Sequence, residues 1–158
     1  MSAFPPPPLL LLPLSVPLPS PPSLPPLSAP VSLTIHSLSQ AVIHIGLPSA
    51  AAAPPRLHPA GGLVAAFPPA FGAAAVSTLV GAGDDATASN MAARIAKRTG
   101  WPIFLGIASV AALAELNDGD EGLAIAKIEK AVVEAIEGAK GGGRGEAELS
   151  VEKLSVAA

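Results

Sequence analysis

A charge-free opening crowded with prolines constrains this chain more than any other feature. No Asp, Glu, Lys or Arg precedes Arg56, and twelve of the 19 prolines stand before Val31. Residues 5–30 read PPPPLLLLPLSVPLPSPPSLPPLSAP. Each proline fixes φ and removes a main-chain donor. Such density predicts extended polyproline II or disorder, in place of helix or central strand. A secretory signal is excluded, because Leu9 to Leu12 is cut short by Pro13 and nothing upstream is charged. The prolines also bar a membrane-spanning helix, which needs about twenty apolar helical residues. A transit peptide would carry Arg. Residues 1–30 are therefore expected to be a disordered Pro/Leu-rich tail, or an extension created by a start codon assigned too far upstream.

Past Pro30 the pattern changes. Val31, Leu33 and Ile35 alternate with Ser32, Thr34 and His36, and Ile43 and Ile45 alternate with Val42 and His44. Period two over β-branched runs predicts a hairpin that turns at Ser37-Leu38-Ser39-Gln40 and ends at Gly46 and Pro48. An Ala/Pro/Gly-rich loop with Arg56 and His58 follows over Ser49 to Gly62. Leu63 to Phe67 and Val76 to Val80 read as two more strands.

Gly81 to Gly83 then turns the chain into a helix that Asp84 or Asp85 would cap. Along this helix Ala88, Met91, Ala92, Ile95 and Ala96 share one face, and Gly100 stands at the C′ position. Trp101 to Ala108 is nearly all apolar and reads as the most buried strand. A second helix is expected from the Asn117, Asp118 and Asp120 region. Its stripe is Glu121, Ile125, Ile128, Val132 and Ile136, and Gly138 with Gly141 to Gly143 should end it. The folded unit is expected over 31–140, with a flexible tail over 141–158.

Nine Lys plus Arg against twelve Asp plus Glu argue against a nucleic-acid binder. The absence of cysteine excludes disulfides, thiol catalysis and cysteine-based metal sites. Alanine supplies much of the apolar content and buries little area per residue, so the core should be thin and completed by a partner.

The turn Gly81-Ala82-Gly83-Asp84-Asp85-Ala86 follows a strand and opens a helix, as a dinucleotide fingerprint does. Two carboxylates would then sit where a pyrophosphate needs free amides, and no acid follows about twenty residues on to hold a ribose. A small nucleotide-binding domain using this turn is the alternative reading. His36 and His44 alternate with apolar positions on neighbouring strands and are expected on one side of the hairpin. No acidic ligand lies within thirty residues of either, so polar strand residues explain them better than a metal site. Ser77, Thr78, Ser89 and Thr99 lack a nucleophile elbow. No catalytic, cofactor or metal site is read, and the chain is not expected to be an enzyme. Arg94, Lys97 and Arg98 form a basic cluster, either a solvated helix face or a docking patch for an acidic partner.

Val76-Ser77-Thr78-Leu79-Val80-Gly81, the Asp84-Asp85-Ala86-Thr87 turn, the helix Met91-Ala92-Ala93-Arg94-Ile95-Ala96 and its Lys97-Arg98-Thr99-Gly100 close together resemble the proteasome assembly chaperone 4 family. The strand Trp101 to Ile107 and the helix Asp118 to Ile136 extend the resemblance. The turn departs from the family, with Gly-Ala-Gly-Asp standing for a Gly-Thr-Ser-Asp type. The resemblance implies a small α+β domain with a mainly antiparallel sheet and two helices packed on it. It also implies a heterodimer with a proteasome assembly chaperone 3-like protein, which docks on α-subunits of the 20S core particle during α-ring formation. No cofactor, nucleic acid or membrane is implied, and the location would be the cytoplasm, with the nucleus as a second site.

Overall fold

The computed structural model describes residues 9–20, 22–23, 25–37, 39–50, 61–81, 86–115 and 121–142. Phe4, Arg56, His58, the Asp84-Asp85 cap, the Asn117 to Asp120 helix start and the tail after Gly142 lie outside them. So does most of the loop expected over Ser49 to Gly62. The elements run β1 (Leu9–Pro17), β2 (Leu27–His36), β3 (Gln40–Ile45), β4 (Ser49–Ala50), β5 (Gly62–Phe67), β6 (Ala75–Gly81), α1 (Ala86–Thr99), β7 (Ile103–Ile107), α2 (Val110–Glu115) and α3 (Glu121–Gly142).

The strands form one seven-stranded sheet in the order β1-β2-β3-β7-β5-β6, with β4 paired to the start of β2. Every pairing is antiparallel except β3 with β7. The expected hairpin is β2 with β3, in the register Val31↔Ile45 to His36↔Gln40. Its turn holds Ser37 at φ 51°, in the left-handed region that a non-glycine residue seldom adopts. The fold is thus the α+β domain the sequence predicts, with one parallel pairing added.

The proline-rich opening is a correction. Leu9–Pro17 was expected in a disordered tail and instead forms β1, an edge strand paired along its whole length with β2. The phase of the prolines explains how. The Leu18 amide donates to the Leu27 carbonyl at 2.9 Å. In an antiparallel pair, residues alternate between facing the neighbour and facing away. Even-numbered residues of β1 therefore aim their amides at β2, and odd-numbered ones aim outward. Pro13 and Pro17 are odd, so neither removes a ladder bond.

Pro30 is accommodated by a gap. Its carbonyl accepts from the Gly46 amide at 2.8 Å, so its missing N–H would face the stretch between the end of β3 and the start of β4, where no strand pairs. The folded unit consequently begins well before Val31. Residues 1–8 lie outside the described residues.

One face of the sheet is closed by helices. Val31, Leu33, Ile35, Ala41, Ile43, Ile45, Ile103 and Leu105 are buried on it, in register across neighbouring strands. The α1 stripe of Ala88, Met91, Ala92, Ile95 and Ala96 packs down on it, as do Ile125, Ile128, Val132 and Ile136 of α3. Every residue of both expected apolar stripes whose side chain is described is buried, while Glu121's side chain is outside the description. Strand β7 sits at the sheet centre with only Phe104 less than fully buried. Gly100 closes α1 at φ 68°, its amide bonded to the Ala96 carbonyl at 2.8 Å, an αL cap. Gly138 does not end α3, which runs on to Gly142. A single glycine costs only about 1 kcal/mol in a helix interior, and the buried Ile136 turn outweighs it.

Candidate functional site

The other face of the sheet is the candidate site. Strand alternation sends Leu9, Leu11 and Pro13 of β1, Ser32, Thr34 and His36 of β2, and Val42 and His44 of β3 to the side away from α1 and α3. Phe104 of β7 and Leu63, Ala65 and Phe67 of β5 continue that surface. Among the described residues no helix packs over it. Phe67 and Phe104 meet edge to face, with ring centroids 6.4 Å apart, an arrangement that adds to simple area burial. Leu9 and Leu11 remain 61% and 62% exposed, and Phe67 44%.

Charge sorts the molecule into two sides. None of the seven strands carries an Asp, Glu, Lys or Arg. Every described acid or base other than histidine sits in a helix. An exposed, contiguous surface with apolar anchors and no full charge has the composition of a protein-binding face. Its polar groups, the Ser32 and Thr34 hydroxyls and the two imidazoles, can be hydrogen-bonded by a partner without the desolvation cost of an ion.

His36 and His44 do share this face, as their alternation predicts. The register sets His36 opposite Gln40 and His44 opposite Ser32, at opposite ends of the hairpin. Four residue steps at about 3.3 Å each separate them, too far for a shared metal ion. Among the described residues no three His, Asp or Glu side chains gather as metal ligands. No described helix is long and apolar enough to cross a membrane.

The basic cluster divides. Arg94 reaches back to α3, its Nε donating to Glu129 Oε1 at 2.6 Å and its terminal nitrogen lying 2.6 Å from the same oxygen. The Glu129 side chain is only 10% exposed, so Arg94 neutralises an acid that would otherwise be buried alone. Lys97 and Arg98 are exposed on the last turn of α1, where cations suit the helix dipole. The end of α1 is pinned to α3 by Lys140, whose ammonium donates to the Thr99 carbonyl, pairs with Glu137 at 2.7 Å and lies 5.0 Å from the Trp101 ring centre. The Thr99 hydroxyl donates to the Ile95 carbonyl at 2.8 Å and accepts from the Trp101 amide at 3.3 Å.

At the Gly81 to Ala86 turn, Ala82 to Asp85 are outside the described residues. The frame around it differs from a dinucleotide site. Strand β6 is an edge strand antiparallel to β5, and β5 separates it from β7. A dinucleotide fingerprint instead follows an inner strand of a parallel sheet, at a switch point.

Residues 31–108 match the family model described as proteasome assembly chaperone 4. No curated protein matches the sequence. Among solved structures, one chain from the crystal structure of a chaperone complex for yeast 20S proteasome assembly is similar at 16% identity. The similarity covers 84% of this chain and 95% of that one, with a TM-score of 0.48.

Proposed function

We propose that this chain, whose residues 31–108 belong to the proteasome assembly chaperone 4 family, is a non-enzymatic chaperone of proteasome assembly. It works by presenting the open face of its sheet to a partner protein. The observation that carries the reading is that face itself. It is uncharged, anchored by Leu9, Leu11, Val42, Phe67 and Phe104, and uncovered by any described helix.

The partner is a proteasome assembly chaperone 3-like protein with a matching apolar sheet face, and the pair is a heterodimer. Burying the two faces against each other would supply the main driving force, at roughly 25 cal/mol per Å² of apolar area, reduced by the cost of association. The helical side, with Lys97 and Arg98 exposed, stays free to meet acidic surface on α-subunits of the 20S core particle while the α-ring forms. Holding neighbouring subunits in order and blocking wrong contacts needs complementary surface and no turnover. The pair acts in the cytoplasm and the nucleus.

Co-expression with a proteasome assembly chaperone 3-like protein, followed by light-scattering chromatography, tests the pairing. A one-to-one complex is expected for the native chain, and none for Phe104→Asp. A native chain that stays alone, or a Phe104→Asp complex of undiminished stability, contradicts it.

A further inference from the structure

The sheet has two open edges, and they are built differently. On β1 the outward-facing positions include Pro13 and Pro17, which offer no amide to an incoming strand. On β6 the outward positions follow from the ladder at the sheet centre. The Ala108 amide donates to the Ile45 carbonyl and the Ala41 amide to the Pro102 carbonyl, so even-numbered residues of β7 face β3. Ile103 and Leu105 therefore face β5, and their partners Ala66 and Val64 face back. This leaves Leu63, Ala65 and Phe67 to bond with Val80, Ser77 and Ala75. Val76 and Thr78 then point both N–H and C=O away from the sheet, and no described strand takes them up.

Edges of this kind are normally blunted by charge or proline, and Ala75–Gly81 has neither. Its one protective device is the irregularity between Leu63 and Val64, which leaves Leu79 as an extra residue on β6. That bulge limits the usable edge to the short run around Val76 to Thr78. Beyond the bulge lies a cavity of about 580 Å³ walled by Thr78, Val80 and Gly81 of β6, Ala86 and Ser89 of α1, and Val110 of α2, among other small or apolar residues. None of its lining residues is charged.

We infer that β6 accepts a short extended segment of a partner protein as an added strand, held by the main-chain groups of Val76 and Thr78, with a large apolar side chain of that segment seated in the neighbouring cavity. Main-chain pairing supplies affinity and the cavity supplies selectivity. The absence of charge on both edge and cavity selects an uncharged, apolar segment, since a buried unpaired charge would cost several kcal/mol. A second copy of the chain fits less well. Two β6 strands paired across a two-fold axis would meet at the bulges after a few bonds and leave the cavity unfilled. This inference is independent of pairing through the open sheet face.

The test pans a random ten-residue peptide library against the full-length chain and synthesises the strongest binder. Amide hydrogen exchange is then followed by NMR. Bound peptide should slow exchange at Val76 and Thr78 and carry a large apolar residue required for binding. Thr78→Pro, which deletes an outward amide, and Val80→Glu, which places a charge at the cavity mouth, should each weaken binding by about tenfold or more. Protection of Ile43 and Leu105 should be unchanged in both. If Thr78→Pro fails that folding check, Val80→Glu decides. Enrichment of no peptide, protection confined to other strands, or full binding by Val80→Glu overturns the inference. So does concentration-dependent protection of Val76 and Thr78 without peptide, which would give the edge to a second copy.

Discussion

The two faces of the sheet are made from the same strands by simple alternation, yet they differ in what covers them. Under the helices, Leu33, Ile35, Ile43, Ile45, Ile103 and Leu105 are all fully enclosed, and the two helices bring the ion pairs with them. On the far side, Ser32, Thr34, Val42, His44 and Phe104 are only half-buried by their strand neighbours. The first face explains why the domain folds. The second explains why such a domain would need company, because a single layer of helices leaves half of the sheet's apolar surface in water. Stability and association are thus assigned to opposite sides of one sheet, and each can be perturbed separately.

The largest effect should come from the closed face. Ile43→Ala is expected to destabilise the domain by about 2–5 kcal/mol, read as a lower denaturant midpoint. Val42→Ala, one residue away on the open face, should cost less than about 1 kcal/mol. Equal losses at the two positions would erase the distinction.

Gly81 offers the next largest. It ends β6 at φ 127°, and an added Cβ would lie 2.7 Å from the Gly62 Cα. Gly81→Ala should therefore cost about 1–3 kcal/mol in thermal or chemical unfolding. The strain belongs to the backbone of the β5–β6 pair and should leave pairing through the open face intact.

Within the helical layer, Arg94 and its neighbours sharpen the contrast between structural and surface charge. Arg94→Met strands Glu129 and should cost on the order of 1–2 kcal/mol, the half-exposed guanidinium moderating the loss. Lys97→Met and Arg98→Met should each change stability by less than about 0.5 kcal/mol. If Lys97 or Arg98 weakens proteasome-subunit binding while stability holds, the exposed end of α1 is a contact surface. Smallest of all in stability should be Phe104→Asp on the open face, which sets a carboxylate on a surface the free protein leaves partly wet. Its effect belongs to association.

Much of the closed face was legible in the sequence. Alternation marked Val31 to Ile35 and Ile43 to Ile45, helical spacing marked Ala88 to Ala96 and Ile125 to Ile136, and Gly100 marked its cap. Strand β1 was hidden because proline density was weighed and proline phase was not. Pro13 and Pro17 are four apart, an even spacing that lets both stand on one side of an edge strand. Glu129 was hidden for a related reason. It follows Ile125 by four residues, inside the buried stripe, and a lone acid there asks for a cation on a facing helix, which is Arg94. The open face left its sign in the charge-free stretch before Arg56, which reads equally as tail or as strand until pairing partners are known. Strand order, the parallel pairing of β3 with β7 and the bulge at Leu79 depend on contacts between distant segments, and no local pattern encodes them.

The most direct test of association through the open face is quantitative affinity purification of the tagged chain from its native cells, comparing the native sequence with Phe104→Asp. The account predicts that proteasome α-subunits and a proteasome assembly chaperone 3-like protein accompany the native chain, and that both are lost from Phe104→Asp at equal expression and unchanged melting temperature. Recovery of neither protein with the native chain, or of both in undiminished amount with Phe104→Asp, would contradict it.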